Sequence, residues 1–136
     1  MEKFLADTHA LAWYAEDSPK LGHKARRLLD LCQEGRAVAF VSVISLLEID
    51  YLIERKKVDA KLPEILLSQV LQSPDSALRL LDIDLKVYRA FLDIPSKKIP
   101  ELPDRILAAT SLAYSLPLVT KDSKISESGC VTVIWD

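Results

Sequence analysis

Cysteine is scarce in this chain. Among 136 residues there are two, Cys32 and Cys130, far apart and in no CxxC pair. That excludes the disulfide framework of small secreted domains; one bond at most is possible, and two reduced, buried thiols are the expectation. Histidine is equally rare, and His9 and His23 are too isolated to argue for zinc. No apolar run reaches membrane-spanning length: the longest uncharged stretch, residues 106–120, contains Pro117 and falls short. The opening MEKFLADTHA has no signal-peptide pattern, because Asp7 interrupts its apolar run early. These absences lead to the expectation of a cytoplasmic protein. An excess of one charge is missing as well, with 18 Lys and Arg against 20 Asp and Glu, a net charge of -2. A globally basic nucleic-acid binder is thereby excluded, and any attraction for phosphate has to be local. Three short basic clusters (Lys24, Arg26 and Arg27; Arg55, Lys56 and Lys57; Lys97 and Lys98) read as solvated faces. Repeats, low-complexity tracts and dividing linkers are also lacking.

What remains is an ordinary globular composition, 49% hydrophobic and 28% charged, at a length that fits one domain over residues 1–136. Strand and helix alternate along it. KFLAD reads as a short strand, and THALAWYAE as the helix that follows. A second helix is expected over residues 19–35, with Ser18 as N-cap, Pro19 in the first turn and Gly35 past its end. AVAFVS reads as a continuous apolar strand before a helix over residues 43–57. Next come a helix LPEILLSQVLQS, a strand ALRLLDI, a helix DLKVYRAFLDI capped by Asp84, and a helix PDRILAATSLAYSL introduced by Pro103. PLVTKD and VTVIW supply the last strands. Short apolar strands that do not alternate imply a sheet buried on both faces, and the helices between them imply right-handed crossovers. The expected fold class is α/β, a three-layer α/β/α sandwich on a mainly parallel sheet. In such a sheet ligands bind outside the carboxyl ends of the strands, at a topological switch point.

Four acids fall where this architecture converges. Asp7 ends the strand KFLA and Asp122 ends PLVTK, so in parallel strands both emerge at one edge. Asp104 lies in the first turn of PDRILAATSLAY, and Glu48 within VISLLEIDYLIERK. Taken singly, Asp7 reads as an N-cap, Asp104 as a first-turn acid favoured by the helix dipole, and Asp122 as a turn residue. Glu48 could close a capping box, SLLE. A helix that begins after Ser42 instead leaves Glu48 well inside, between Ile44 and Leu52 with Leu47 and Tyr51 alongside. A carboxylate on an apolar face needs a partner, a proton or a cation. Arg105 and Lys121 adjoin two of the acids, but strand alternation is expected to turn Lys121 away. Clustered carboxylates with no His or Cys partner suit Mg²⁺ or Mn²⁺, and such an ion activates water or polarises a phosphoryl oxygen. His9 is expected to be packed and hydrogen-bonded, outside the catalytic set, and Trp13 to lie in the core.

The order Asp7, Glu48, Asp104, Asp122 resembles the acidic quartet of PIN-domain ribonucleases. LADTHALAW is similar to the opening motif of the bacterial VapC-type toxins, SVISLLEI to their second, PDRILAATSLAYSLPLVTKD to their third and fourth, and VTVIW to their last strand. The resemblance covers nearly the whole chain and is weakest over residues 56–99. It implies a Mg²⁺- or Mn²⁺-dependent endoribonuclease acting on RNA, usually a toxin neutralised by a small antitoxin and usually a homodimer. It also implies that Asp7, Glu48, Asp104 and Asp122 form the metal site, with Asp7 and Asp104 as direct ligands. Thr120 matches a hydroxyl that orients a ligand or water. With no base expected beside the pocket, transition-state charge would fall to the metal. Apolar residues on PEILLSQVLQ and KVYRAFLDI fit a homodimer. The competing readings are a receiver-like signalling domain with an acidic Mg²⁺ pocket, a catalytically silent PIN-like binding module, and a metal-dependent nuclease acting on DNA. A receiver needs an early acidic pair, where this chain has Asp7 alone, and Asp82 in LLDID lacks the matching context.

Overall fold

Residues 4–6 are buried at every position, yet their side chains divide between two cores. Phe4 and Ala6 pack on one side of the strand and Leu5 on the other, as the pleat of a strand covered on both faces requires. A computed structural model describes residues 1–72 and 75–136, and the strand belongs there to a parallel sheet. Its members are β1 (Glu2–Ala6), β2 (Ala37–Ser42), β3 (Leu78–Leu81), β4 (Leu118–Val119) and β5 (Val133–Ile134). They run in the order β3-β2-β1-β4-β5, every neighbouring pair parallel. The edges are short and only partly buried, as in β5 and in β3 with its Arg79.

Seven helices complete the fold among the described residues: α1 (Thr8–Ala15), α2 (His23–Gln33), α3 (Val43–Glu54), α4 (Leu62–Leu71), α5 (Leu85–Leu92), α6 (Leu102–Tyr114) and α7 (Ser123–Ser128). α1, α2 and α4 send Leu11, Leu28, Leu29 and Leu66 into the first core. α5, α6 and α7 send Val87, Leu107 and Ile125 into the second, around Leu5 and Leu118. Fully burying a side chain such as Leu5 or Leu118 contributes about 1.5–3 kcal/mol, so both layers hold the central strands in place. α3 serves both, with Ile49 in one core and Ile44 against the other. The three-layer parallel architecture expected from the sequence is the one observed.

Three local expectations are corrected. The second helix begins at His23, not at Pro19, and Ser18 is not its cap. Ser18 Oγ accepts from the Lys20 N–H at 3.2 Å within a turn. α2 is capped instead by the last residues of the chain: Ala25 N donates to Trp135 O at 3.1 Å and His23 N to Asp136 Oδ1 at 3.2 Å. The third is an addition: between the last two strands, where no element was expected, stands α7, which Asp122 caps by accepting from Ile125 N at 2.9 Å. The end of the expected helix LPEILLSQVLQS, at Ser73, lies outside the described residues.

Candidate active site

β1 and β4 are neighbours at the centre of the sheet, and the chain reverses its direction of travel between them: from β1 it passes to β2 and β3 on one side, then returns to β4 and β5 on the other. The crevice beyond their carboxyl ends is therefore the switch point where an open parallel sheet offers a site. Asp7 follows β1, and its N–H donates to Val119 O at 3.1 Å, continuing the ladder to β4. Thr120 follows β4 and is buried; its Oγ1 donates a short hydrogen bond to Asp7 Oδ2. The same hydroxyl accepts from Asp122 N at 3.1 Å. Asp7 Oδ1 meanwhile accepts from Ala10 N at 2.8 Å, so this carboxylate both caps α1 and is held by both oxygens.

α3 and α6 complete the ring. Thr8 Oγ1 lies 3.4 Å from Glu48 Oε1 and 3.5 Å from Ser45 O, tying α1 to α3. Asp104 stands in the first turn of α6, after Pro103. All four acids line one cleft of about 450 Å³, together with Thr8, His9, Trp13, Leu107 and Lys121. A larger cavity of about 620 Å³ lies between α1, α2 and α4, but Leu11, Leu29, Leu66 and its other lining residues include no acid or base.

The acids act on one another. Burial raises the Glu48 carboxyl to about 7, reinforced by the negative charges of Asp104 and Asp7. Burial raises Asp104 to about 6, with Asp122, Glu101 and Asp7 adding to it. Asp7 is raised by burial too, against the opposing hydrogen bonds from Thr120 and Ala10. Among the described residues no three His, Cys, Asp or Glu side chains already stand around one point as a finished metal cage. The arrangement is a set of crowded, oxygen-only donors, and no ion pair among the described residues includes any of them.

Three expectations about the site are corrected. Glu48 is not in the middle of a buried face: it is half-buried, and Leu47 and Tyr51 beside it are 61% and 52% exposed. His9 is exposed on the cleft wall, its ring 5.3 Å from that of Trp13, instead of packed away. Lys121 does not turn away from the cleft. β4 ends at Val119, so strict strand alternation no longer governs a residue on the turn into α7. Trp13 does pack against the first core, but it also lines the cleft.

Comparison with known proteins gives a consistent picture. Residues 4–129 match the family model described as the PIN domain. Ribonuclease VapC22 of Mycobacterium tuberculosis is 25% identical over 125 residues, covering 92% of this chain and 91% of that protein. Among solved structures, VapBC2 from Rickettsia felis, bound to a DNA fragment from its promoter, superposes with a TM-score of 0.68 at 17% identity, over 98% of this chain and 99% of that one. A toxin–antitoxin complex from Klebsiella pneumoniae gives a TM-score of 0.64 at 16% identity, over 96% and 95%.

Proposed function

The chain belongs to the PIN-domain family, and from that premise we propose that it is a divalent-metal-dependent endoribonuclease, the toxin of a toxin–antitoxin pair. The observation that carries the reading is the convergence of Asp7, Glu48, Asp104 and Asp122 on the switch-point cleft. The resemblance to a ribonuclease supports RNA as substrate, and the toxin–antitoxin neighbour supports a small antitoxin as partner. The receiver-like alternative falls with the family assignment.

The donor set fits a hard cation. Carboxylate oxygens are the preferred ligands of Mg²⁺ and Mn²⁺, and a cluster whose members raise one another's pKa gains most from a positive charge in its midst. Asp7 and Asp104 would be the direct ligands, with Glu48 and Asp122 completing the site. When bound, the ion supplies Lewis-acid activation of water and of the phosphoryl group. The protein's own residues do the positioning. Thr120 and Ala10 fix the two oxygens of Asp7, so that ligand is oriented before anything binds. Thr8 restrains Glu48 through its hydroxyl, keeping that carboxylate turned to the cleft. Asp122, capping α7, carries its negative charge towards Asp104 and Asp7.

α5 presents Leu85, Tyr88 and Leu92, all more than half exposed, at a spacing that places them along one stripe. α4 adds Ile65 and Leu67 at lower exposure. The stripe on α5 and the apolar residues on α4, which lies in the opposite layer, support a homodimer.

The test is cleavage of a mixed RNA pool by the purified chain with Mg²⁺ or Mn²⁺, with and without chelator. Chelator-sensitive internal cleavage is the expected result. Metal-dependent cutting of DNA in preference to RNA would overturn the substrate, and RNA binding without cutting would leave a silent PIN-like module.

A further inference from the structure

Lys121 stands on the wall of the carboxylate cleft without joining the carboxylates. It is the one Lys or Arg among the nine residues that line the cleft. Its side chain is exposed, and no ion pair among the described residues includes it. Its Nζ lies 5.4 Å from the ring centroid of Trp13, and Lys20 Nζ lies 5.9 Å from the same ring. Trp13 is in turn held edge-on by Trp135 at 5.9 Å and packs against the first core, so the platform under the ammonium is rigid.

The charge pattern gives this placement a meaning. A phosphodiester strand that enters a cleft of four acids is repelled wherever no cation faces it. A lysine seated on a fixed ring surrenders little further freedom on capturing a phosphate, and as a compact point charge it suits one. Because Lys121 is set apart from the carboxylates, the phosphate it meets is not the one they would surround. We propose that Lys121, held over Trp13, binds a phosphate of single-stranded RNA that flanks the scissile linkage and so sets the strand's register in the cleft. This rests on the ribonuclease reading above.

The experiment compares wild type, Lys121→Gln, Lys121→Arg and Lys97→Gln, the last removing an exposed lysine outside the cleft. Binding of a short fluorescein-labelled single-stranded RNA of mixed sequence is measured against salt, in an Asp7→Asn background that prevents turnover, and cleavage is followed in the Asp7 proteins. Loss of one phosphate contact lowers the slope of log K against log salt by about 0.7 for a single strand. Lys121→Gln should show that loss and a severalfold fall in kcat/KM carried by KM, Lys121→Arg should recover both, and Lys97→Gln should match wild type. An unchanged salt slope in Lys121→Gln, or the same loss in Lys97→Gln, overturns the proposal. A fall in kcat at constant KM overturns the flanking position, since it would put the lysine on the reacting phosphate. Wild type that binds the RNA but never cuts it overturns the nuclease reading instead, and the salt comparison still decides whether Lys121 holds a phosphate.

Discussion

Asp7 is asked to do two things at once, and a single substitution separates them. As an N-cap it accepts from Ala10 N, and Asn is as good a cap as Asp. As a ligand for a hard cation it needs its negative charge, which Asn lacks. Asp7→Asn should therefore abolish metal-dependent RNA cleavage while the protein stays folded, with a Tm in chelator no lower than that of wild type. The Tm should not fall because the substitution removes one of several mutually repelling carboxylates. Circular dichroism melting and a cleavage assay read the two roles independently, and a variant that cuts RNA as well as wild type reduces Asp7 to a cap. At this scale the sequence told much for Asp7, which directly follows β1, and less for Asp122. β4 ends at Val119, level with Ala6, so Thr120 is the residue beside Asp7, and Asp122 stands further on as the cap of α7 instead of at the strand's end. It misled at Lys121 and His9. Lys121 stands on a turn against Trp13, remote in sequence, and His9, four residues before Trp13 on α1, faces a cleft that distant elements form, so periodicity along one helix or strand does not show either placement.

Among the elements, α2 shows what periodicity cannot see. Ser18 and Pro19 are good start signals, yet the helix begins four residues after Pro19, where the C-terminal segment reaches its first turn. Gly22 makes that approach possible: a Cβ there would stand 2.2 Å from Trp135 O. Its φ of -63° is open to any residue, so the requirement is for space and not for backbone freedom. Gly22→Ala should thus cost about 1–3 kcal/mol through overpacking against backbone, where a cap exchange alone would cost less. Chemical denaturation of the two proteins measures it, and a variant as stable as wild type would mean that the C-terminal segment is free to shift. α7 was missed for the opposite reason. Only Ile125 of its six residues is buried, so it presents no apolar period, and its existence depends on the Asp122 cap. The long helices and central strands were legible because burial on one stripe or on both faces writes itself into composition.

For the whole molecule, assembly and electrostatics each make a measurable demand. The stripe of Leu85, Tyr88 and Leu92 predicts a dimeric mass by light scattering at micromolar concentration, and a monomeric mass there would count against the homodimer. The carboxylate cleft predicts an inverted response of stability to pH. An acid whose folded-state pKa lies above its unfolded value holds its proton longer in the folded chain. The stability it contributes is therefore present at low pH and lost as the pH climbs through the folded value. Glu48 and Asp104, at about 7 and about 6, place that loss between roughly pH 4, the usual carboxylate value, and pH 7, and Asp7 shifts in the same direction. Asp84 works the other way, held low by its hydrogen bond from Tyr114, but its transition lies below the usual carboxylate value and outside this window. In chelator the chain should melt at a higher temperature near pH 5 than above pH 7. Mg²⁺ should reverse the order, because it binds the ionised cluster of the folded form alone and so stabilises most where the acids have lost their protons. Melting curves at the two pH values, with Mg²⁺ and with chelator, decide the matter. A Tm that rises with pH in chelator would mean that burial and mutual repulsion do not raise the pKa of these acids in the folded chain. A Tm that Mg²⁺ leaves unmoved at neutral pH would mean that they hold no cation.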